Sequence, residues 1–407
     1  MLIIAGYDPS GGAGVLADLK VCRELNINPR VVTTSIIPQN NLKVYEKYDL
    51  PIENIENQLK SIFEEYYIKW VKVGVVSGEC IDLIVEYIKK YDLKVILDPV
   101  LESSTKYKFI ENLDKYLELI NSSYLITPNE KEYRVLKDYL SDYKNYILIT
   151  GINDKLIKNN ELIKEFYGVK LDRDVHGTGC VYSTAITSFL FLGYNLFESI
   201  EEAKKLAISS VIYAEKTKFG YNSNPKHINK EKILKNLYYA LEYLRKINFS
   251  LIPEIGSNLA ECLILPKSYE DIASLTGRIV KNKEEENKFY VCGRFKFGIR
   301  GHVSRLVLSA NKINPSIRAG MNIKYSEELI EKLEDKFKVS YFDRKKEPKN
   351  VSTMEWGIKE ALSRNKDADI VYDTGDIGKE PIIRVLGKDI LEVVKKVEII
   401  EDIYKKI

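Results

Sequence analysis

The sequence has only five cysteines in 407 residues, Cys22, Cys80, Cys180, Cys262 and Cys292, and no CxxC pair among them. A disulfide framework or a cysteine zinc site is therefore excluded as the organising feature. An excess of charge is missing too. The 62 basic residues face 59 acidic ones, a formal net charge of +3. So balanced a chain gives no electrostatic case for a polyanion, and no nucleic-acid partner is expected. No run approaches the roughly 18 apolar residues of a membrane span. The opening Leu2-Ile3-Ile4-Ala5 has no basic flank and long apolar stretch of a signal peptide. A soluble, reducing, cytoplasmic setting without membrane contact is the expectation. Methionine is scarce, with three, against abundant Lys, Glu, Ile and Tyr, a usage like that of heat-adapted proteins. Internal repeats, low-complexity tracts and heptad runs are also absent.

What is present is apolar material for a large core, 45 % of the chain, and a length that suggests more than one domain. The first half alternates strand-like and helix-like segments. Strands are expected at 2–5, 31–37, 70–76, 94–97, 124–126 and 146–149. Helices are expected at 13–25, 52–66, 80–91, 181–192 and 196–217. That alternation predicts a doubly wound, mostly parallel α/β sheet, with ligands at the C-terminal strand ends. The turn-rich stretch 219–227 closes the domain, set at 1–228, and a bridging helix follows within 229–248. A second, smaller α/β domain is expected over 249–407. Its helices are placed at 269–275, 301–312, 327–337, 354–364 and 389–400. Its strands are placed at 289–292, 317–323, 338–342, 370–372 and 382–385.

Two glycine-rich segments stand before helices in the first half. Gly6-Tyr7-Asp8-Pro9-Ser10-Gly11-Gly12-Ala13-Gly14 follows a strand, and its glycines and helix N-terminus suit a close-lying anion. It is not a Walker A motif, since no Gly-Lys-Ser/Thr follows. His176-Gly177-Thr178-Gly179-Cys180 opens the next helix, where successive amides can cradle a transferring phosphate. Cys180 stands where a helix dipole depresses a thiol pKa, which makes it a candidate base or anion partner. The alternative is a small buried cysteine.

The second half carries a basic and polar cluster: Arg278, then Arg294, His302 and Arg305 within 293–305, and Arg318 inside an apolar strand-like run. Arginine forks suit phosphate and pyrophosphate oxygens. The stretches Phe342-Asp343-Arg344 and Tyr372-Asp373 end two further strands, where acidic groups can hold Mg²⁺ or orient a substrate.

The segments AGYDPSGGAGVLADLK (5–20), PQN (38–40), LDPV (97–100), LITPNEKE (125–132) and DVHGTGC (174–180) resemble, in order, those of ribokinase-like hydroxymethylpyrimidine and hydroxymethylpyrimidine-phosphate kinases. Most ribokinase-like sugar kinases have Asp after GTG; Cys180 is the pyrimidine-kinase variant. The resemblance implies ATP and Mg²⁺ as cofactors and a homodimer. It implies Gly6, Asp18 and Gln39 on the pyrimidine, and Asn129, Glu132 and Thr178 on ATP, with Asn129 and Glu132 holding Mg²⁺ through water. Gly177, Gly179 and Cys180 fall at the transferred phosphate. The family's Lys-Ser-Gly and Lys-Gly-Gly are missing at 101–106 and 150–152, which leaves Lys106 as the candidate phosphate lysine.

From 252 onward, TGRIV (276–280), FGIRGHVSRLVL (297–308), SIRAGMNIKYSEE (316–328), YFDRKKEP (341–348) and YDTGDIGKEPIIRVLG (372–387) resemble the archaeal-type thiamine-phosphate synthase domain. That implies joining hydroxymethylpyrimidine diphosphate to thiazole phosphate with loss of pyrophosphate. Arg278 and His302 are the implied catalytic residues, and Arg294, Arg305 and Arg318 bind substrate. A non-catalytic sensing or assembly role for this half is the alternative. The expected partners are these small-molecule substrates.

Overall fold

In the computed structural model, residues 1–76, 78–103, 105–110, 113–282, 284–285, 288–348 and 351–407 are described. They form two compact units, Met1–His227 and Ile228–Ile407.

The first unit is built on a nine-stranded sheet. Its order is Tyr48–Asp49, Arg30–Ile36, Leu2–Tyr7, Trp70–Val73, Lys94–Leu97, Leu125–Ile126, Tyr146–Ile149, Asp154–Lys158 and Glu161–Phe166. The six strands from Arg30–Ile36 to Tyr146–Ile149 are parallel, and the remaining pairings are antiparallel. Central strands such as Leu2-Ile3-Ile4 are apolar without alternation because helices cover both faces. Ile4, Val73 and Leu97 face one core layer, with helices Ile52–Glu65 and Gly78–Tyr91. Ile3, Ala5 and Ile96 face the other, with helix Thr178–Phe191. The terminal hairpin turns at Asn159 and Asn160, both left-handed, a turn matched to strand twist.

The second unit has a seven-stranded sheet ordered Phe295–Phe297, Ile272–Leu275, Leu259–Cys262, Ala319–Lys324, Ile382–Gly387, Ile370–Asp373 and Val339–Tyr341. Only the last pair is parallel. Helices His302–Ile313 and Thr353–Arg364 cover one face. Helices Lys230–Lys246 and Ile390–Tyr404 cover the other.

Three expectations change. The helix placed at 269–275 is a short 3₁₀ turn, Tyr269–Asp271, running into strand Ile272–Leu275. The helix begun at Leu196 stops at Ile212. The bridging helix is not a bridge. Ile233, Leu237, Ala240, Leu241 and Leu244 are buried in the second unit's own core, so the boundary falls between His227 and Ile228. A stripe at this spacing needs an apolar partner, which that sheet supplies.

Candidate active sites

In the first unit the two glycine-rich loops pack on each other. Gly177 caps helix Thr178–Phe191 with a left-handed φ of +86°, and a Cβ there would lie 1.6 Å from the Gly12 carbonyl oxygen. Gly14 has φ +57°, and its Cβ would lie 2.2 Å from the Gly6 oxygen. Ser223 locks the pair, donating its hydroxyl to Gly12 O at 3.2 Å and its N–H to His176 O at 3.0 Å. Gly14 and Cys180 line the same cavity, and the Gly14 amide acts to lower the thiol's pKa, so the two motifs meet beside the thiol.

The first loop does not offer an empty anion site. Its amides are largely taken from within: the Asp8 carboxylate accepts from Ser10 N at 2.8 Å and Ala13 N at 2.9 Å, and Gly12 N donates to the Ser10 hydroxyl at 3.3 Å. Asp8 also lies 3.4 Å from His176 Nε2. Burial acts to raise the Asp8 pKa, but the nearby His176 and the bonds from Ser10 and Ala13 hold it below the usual carboxylate value.

A cavity of about 770 Å³ opens beside these loops, at the C-terminal ends of the parallel strands. Gly6, Gln39, Lys106, Asn129, Glu132, Gly177, Gly179 and Cys180 line it. Thr178 does not; its hydroxyl bonds back to Val175 O at 3.1 Å. Asp18 does not line it either. It is wholly buried behind the wall, between Lys72 at 2.9 Å and the Thr184 hydroxyl at 2.6 Å. Lys72 is the residue that reaches the cavity. It missed notice in the sequence, and Asp98 stood in LDPV without a role, although a lysine inside the apolar run 70–76 was a visible signal.

The cavity floor is rich in acids. Burial pushes Glu132 up to about 8, with Asp98 adding to the effect. Burial also raises Asp98, against the pull of Lys72. Asn129 and Glu132 form a capping box: Asn129 Oδ1 accepts from Lys131 N and Glu132 N, and Glu132 Oε2 accepts from Asn129 N at 2.8 Å. The helix start thus fixes both residues at the cavity rim.

Cys180 departs from expectation. It is half-buried, and desolvation, with Asp98 and Asp18 nearby, pushes its thiol up to about 12. Lys72 and the Gly14 amide act the other way but do not prevail. The free site therefore holds a neutral thiol, not a thiolate.

In the second unit, His302 starts helix His302–Ile313 after Gly301. Partial desolvation lowers its pKa, followed by the charges of Arg305, Arg278, Arg384 and Arg344. His302, Arg278 and Arg305 thus share one positive field. Arg278 is exposed and bonds to the Ile255 carbonyl. Arg294 is exposed on the turn before strand Phe295–Phe297, its N–H bonded to the Thr276 hydroxyl at 3.0 Å. Arg318 is not presented to a ligand. It is fully buried, 3.3 Å from Glu261, and bonds to the Cys262 and Lys388 carbonyls. Asp373 is likewise committed, to Arg344 and Arg384 at 2.7 Å each, so it is not free to ligate a metal. Sequence reading gave no role to Arg384, although it stands in an apolar strand.

Among the described residues no cluster of three metal-ligating side chains occurs, and no helix is long and apolar enough to cross a membrane. The site of the first unit is that of a kinase: the phosphomethylpyrimidine kinase family model matches residues 8–227. The thiamine-phosphate synthase ThiN model matches residues 236–399. The bifunctional thiamine biosynthesis protein ThiDN of Methanocaldococcus jannaschii is 56 % identical over 99 % of this chain and 99 % of its own. The thiamine-phosphate synthase ThiN of Methanothermobacter thermautotrophicus is 36 % identical over 35 % of this chain and 77 % of its own. A phosphomethylpyrimidine kinase structure from Clostridium difficile is 32 % identical, covering 50 % of this chain and 95 % of that one, with a TM-score of 0.43. The chain belongs to the family of bifunctional thiamine biosynthesis proteins ThiDN, a kinase domain followed by a thiamine-phosphate synthase domain.

Proposed function

We propose that the first unit phosphorylates hydroxymethylpyrimidine and its monophosphate with ATP, and that the second joins the resulting diphosphate to thiazole phosphate. The observation that carries the kinase reading is the meeting of the GTG loop, the Gly14 amide and Cys180 at one cavity. Gln39 and Gly6 take the pyrimidine end, since an amide can both donate to and accept from an aminopyrimidine. The amides at Gly177 and Gly179 stabilise charge on the transferring phosphoryl group. With its pKa raised, Cys180 is a neutral donor or packing group beside the substrate hydroxyl rather than a standing base. Lys106 lines the mouth with a left-handed φ of +67° and is the candidate for the ATP phosphates.

Magnesium fits this site. Asp98 and Glu132 are oxygen donors in mutual repulsion, a pair that a cation relieves, and Mg²⁺ keeps water and phosphate as its other ligands. It would neutralise phosphate charge there. Asn129 acts through its cap, fixing Glu132.

In the second unit the diphosphate leaves as its C–O bond breaks, and the thiazole nitrogen forms the new C–N bond to the same methylene carbon. Departure of pyrophosphate needs cations, and Arg278, Arg305 and Arg294 supply them. His302 is a neutral hydrogen-bonding group near pH 7, since its pKa is lowered.

The test is a coupled assay on the full chain with hydroxymethylpyrimidine, thiazole phosphate, ATP and Mg²⁺, following thiamine phosphate by chromatography. Product is expected from the alcohol with ATP, and from the pyrimidine diphosphate without it. No product from either sinks the synthase reading and leaves a sensing or assembly domain.

A further inference from the structure

Asp373 is wholly buried and carries two arginines. Arg384 NH2 lies 2.7 Å from Oδ2, and Arg344 Nε lies 2.7 Å from Oδ1. The Gly375 N–H donates to Oδ1 at 3.0 Å. Arg384 is itself buried, donates to Ile382 O at 3.1 Å, and holds its guanidinium carbon 5.1 Å from the centre of the Phe342 ring. Two guanidiniums on one carboxylate leave one positive charge over in a desolvated place. Such an excess is costly unless an anion meets it. Arg318 shows the contrast: Glu261 matches it one to one, and the Lys388 and Cys262 carbonyls each accept from one of its terminal nitrogens.

Of the two, Arg344 is the less buried. Its Nε is close to Asp373 without an aligned hydrogen bond, and its NH2 is 3.4 Å from Oδ2. Among the described residues no other hydrogen-bond partner engages its guanidinium. Its side chain is 11 % exposed against 4 % for Arg384, so Arg344 is the one a ligand can reach. Asp373 ends strand Ile370–Asp373, and Arg344 follows the parallel strand Val339–Tyr341, so both stand at C-terminal strand ends. The charges of both arginines act on His302, together with those of Arg305 and Arg278.

We propose that Arg344 binds a substrate phosphate in the synthase site, its open guanidinium edge turned to a phosphate or diphosphate oxygen and its other edge held by the buried Asp373–Arg384 pair. Arg344 is then a contact residue, and Asp373 and Arg384 are positioning residues. The assignment rests on the synthase reading for which substrate is bound. Binding of the anion itself does not depend on it.

The test measures binding of inorganic pyrophosphate and of thiazole phosphate to the full chain by calorimetry, in the wild type, Arg344→Met and Arg344→Lys. Thermal melting checks that the variants are folded. Loss of a charge-assisted bond of about 1.5–3 kcal/mol weakens binding by about 10- to 100-fold. The expected result is that loss in Arg344→Met, with Arg344→Lys in between, because lysine keeps the charge but not the fork. If pyrophosphate binding falls, the clamp holds the diphosphate; if only thiazole phosphate binding falls, it holds that phosphate. Unchanged affinity for both in a folded Arg344→Met overturns the proposal, as does a wild type that binds neither. A wild type that binds pyrophosphate through Arg344 but makes no thiamine phosphate sinks the synthase reading and leaves the clamp standing.

Discussion

Lys72 Nζ lies 2.9 Å from Asp18 Oδ2, and both side chains are fully removed from solvent. Burial works against the lysine's charge, yet Asp18, Cys180 and Asp98 together hold its pKa above the ordinary value. It is the cation that balances the acids under the kinase cavity. Lys72→Met should therefore cost roughly 3–5 kcal/mol of stability in denaturant unfolding, because it strands a buried carboxylate. The double variant Lys72→Met, Asp18→Leu should recover much of that loss. A loss below about 1 kcal/mol in the single variant would show that Asp18 is protonated and needs no partner.

Cys180 offers a second test, separable from activity. A thiol near 12 is almost wholly protonated at pH 8, and the side chain is half-buried. Iodoacetamide at pH 8, mapped by mass spectrometry, should label the exposed Cys292 well before Cys180. As the loss of one hydrogen-bond donor at the reacting group, Cys180→Ala should lower kinase kcat by roughly 10²-fold and leave synthase turnover of supplied diphosphate unchanged. Fast labelling at Cys180 would mean a thiolate and restore the role of standing base.

Three residues explain how much of this was legible beforehand. Lys72 and Arg384 each sit in an apolar strand and Arg318 stands directly before one, and each proves to be buried against one carboxylate: Asp18, Asp373 and Glu261. The strand pattern marks such a cation as important, but not whether its head faces a ligand or a partner brought from far along the chain. Arg318 was read as a ligand residue and is fully buried beside Glu261; Lys72 was passed over and lines the cavity. Local motifs fared better. The helix opened by the GTG loop and the parallel strands follow from short-range chemistry. The antiparallel strands at 259–262 and 272–275 were lost because their alternation is weak and both are wholly buried.

Glu132 makes the kinase site pH-dependent in a defined direction. Its folded pKa is raised from 4.5 to about 8, so the folded state holds a proton that the unfolded state releases. Its contribution to stability is full below about 4.5 and is lost as pH rises through about 8. The free carboxylate is also the metal-binding form. Mg²⁺ affinity in the presence of ATP should therefore rise between pH 6 and pH 8. Glu132→Gln should flatten both trends, as read by melting temperature and by Mg²⁺ titration of the kinase rate. A Mg²⁺ dependence with the same pH slope in Glu132→Gln would assign the effect elsewhere, with Asp98 next in line.

His302 should titrate below an ordinary imidazole, since desolvation and then Arg305 disfavour its charged form. The chain has three histidines, His176, His227 and His302, so His302→Asn assigns the ring signal in a proton NMR titration. Removing one positive neighbour, as in Arg305→Met, should move that titration upward toward about 6.5. The acid limb of the synthase pH profile should move with it, since a charged imidazole beside the arginines alters the site that receives the phosphates. Movement of the ring titration without the acid limb would show that His302 shapes the field of the site without taking part in the limiting step.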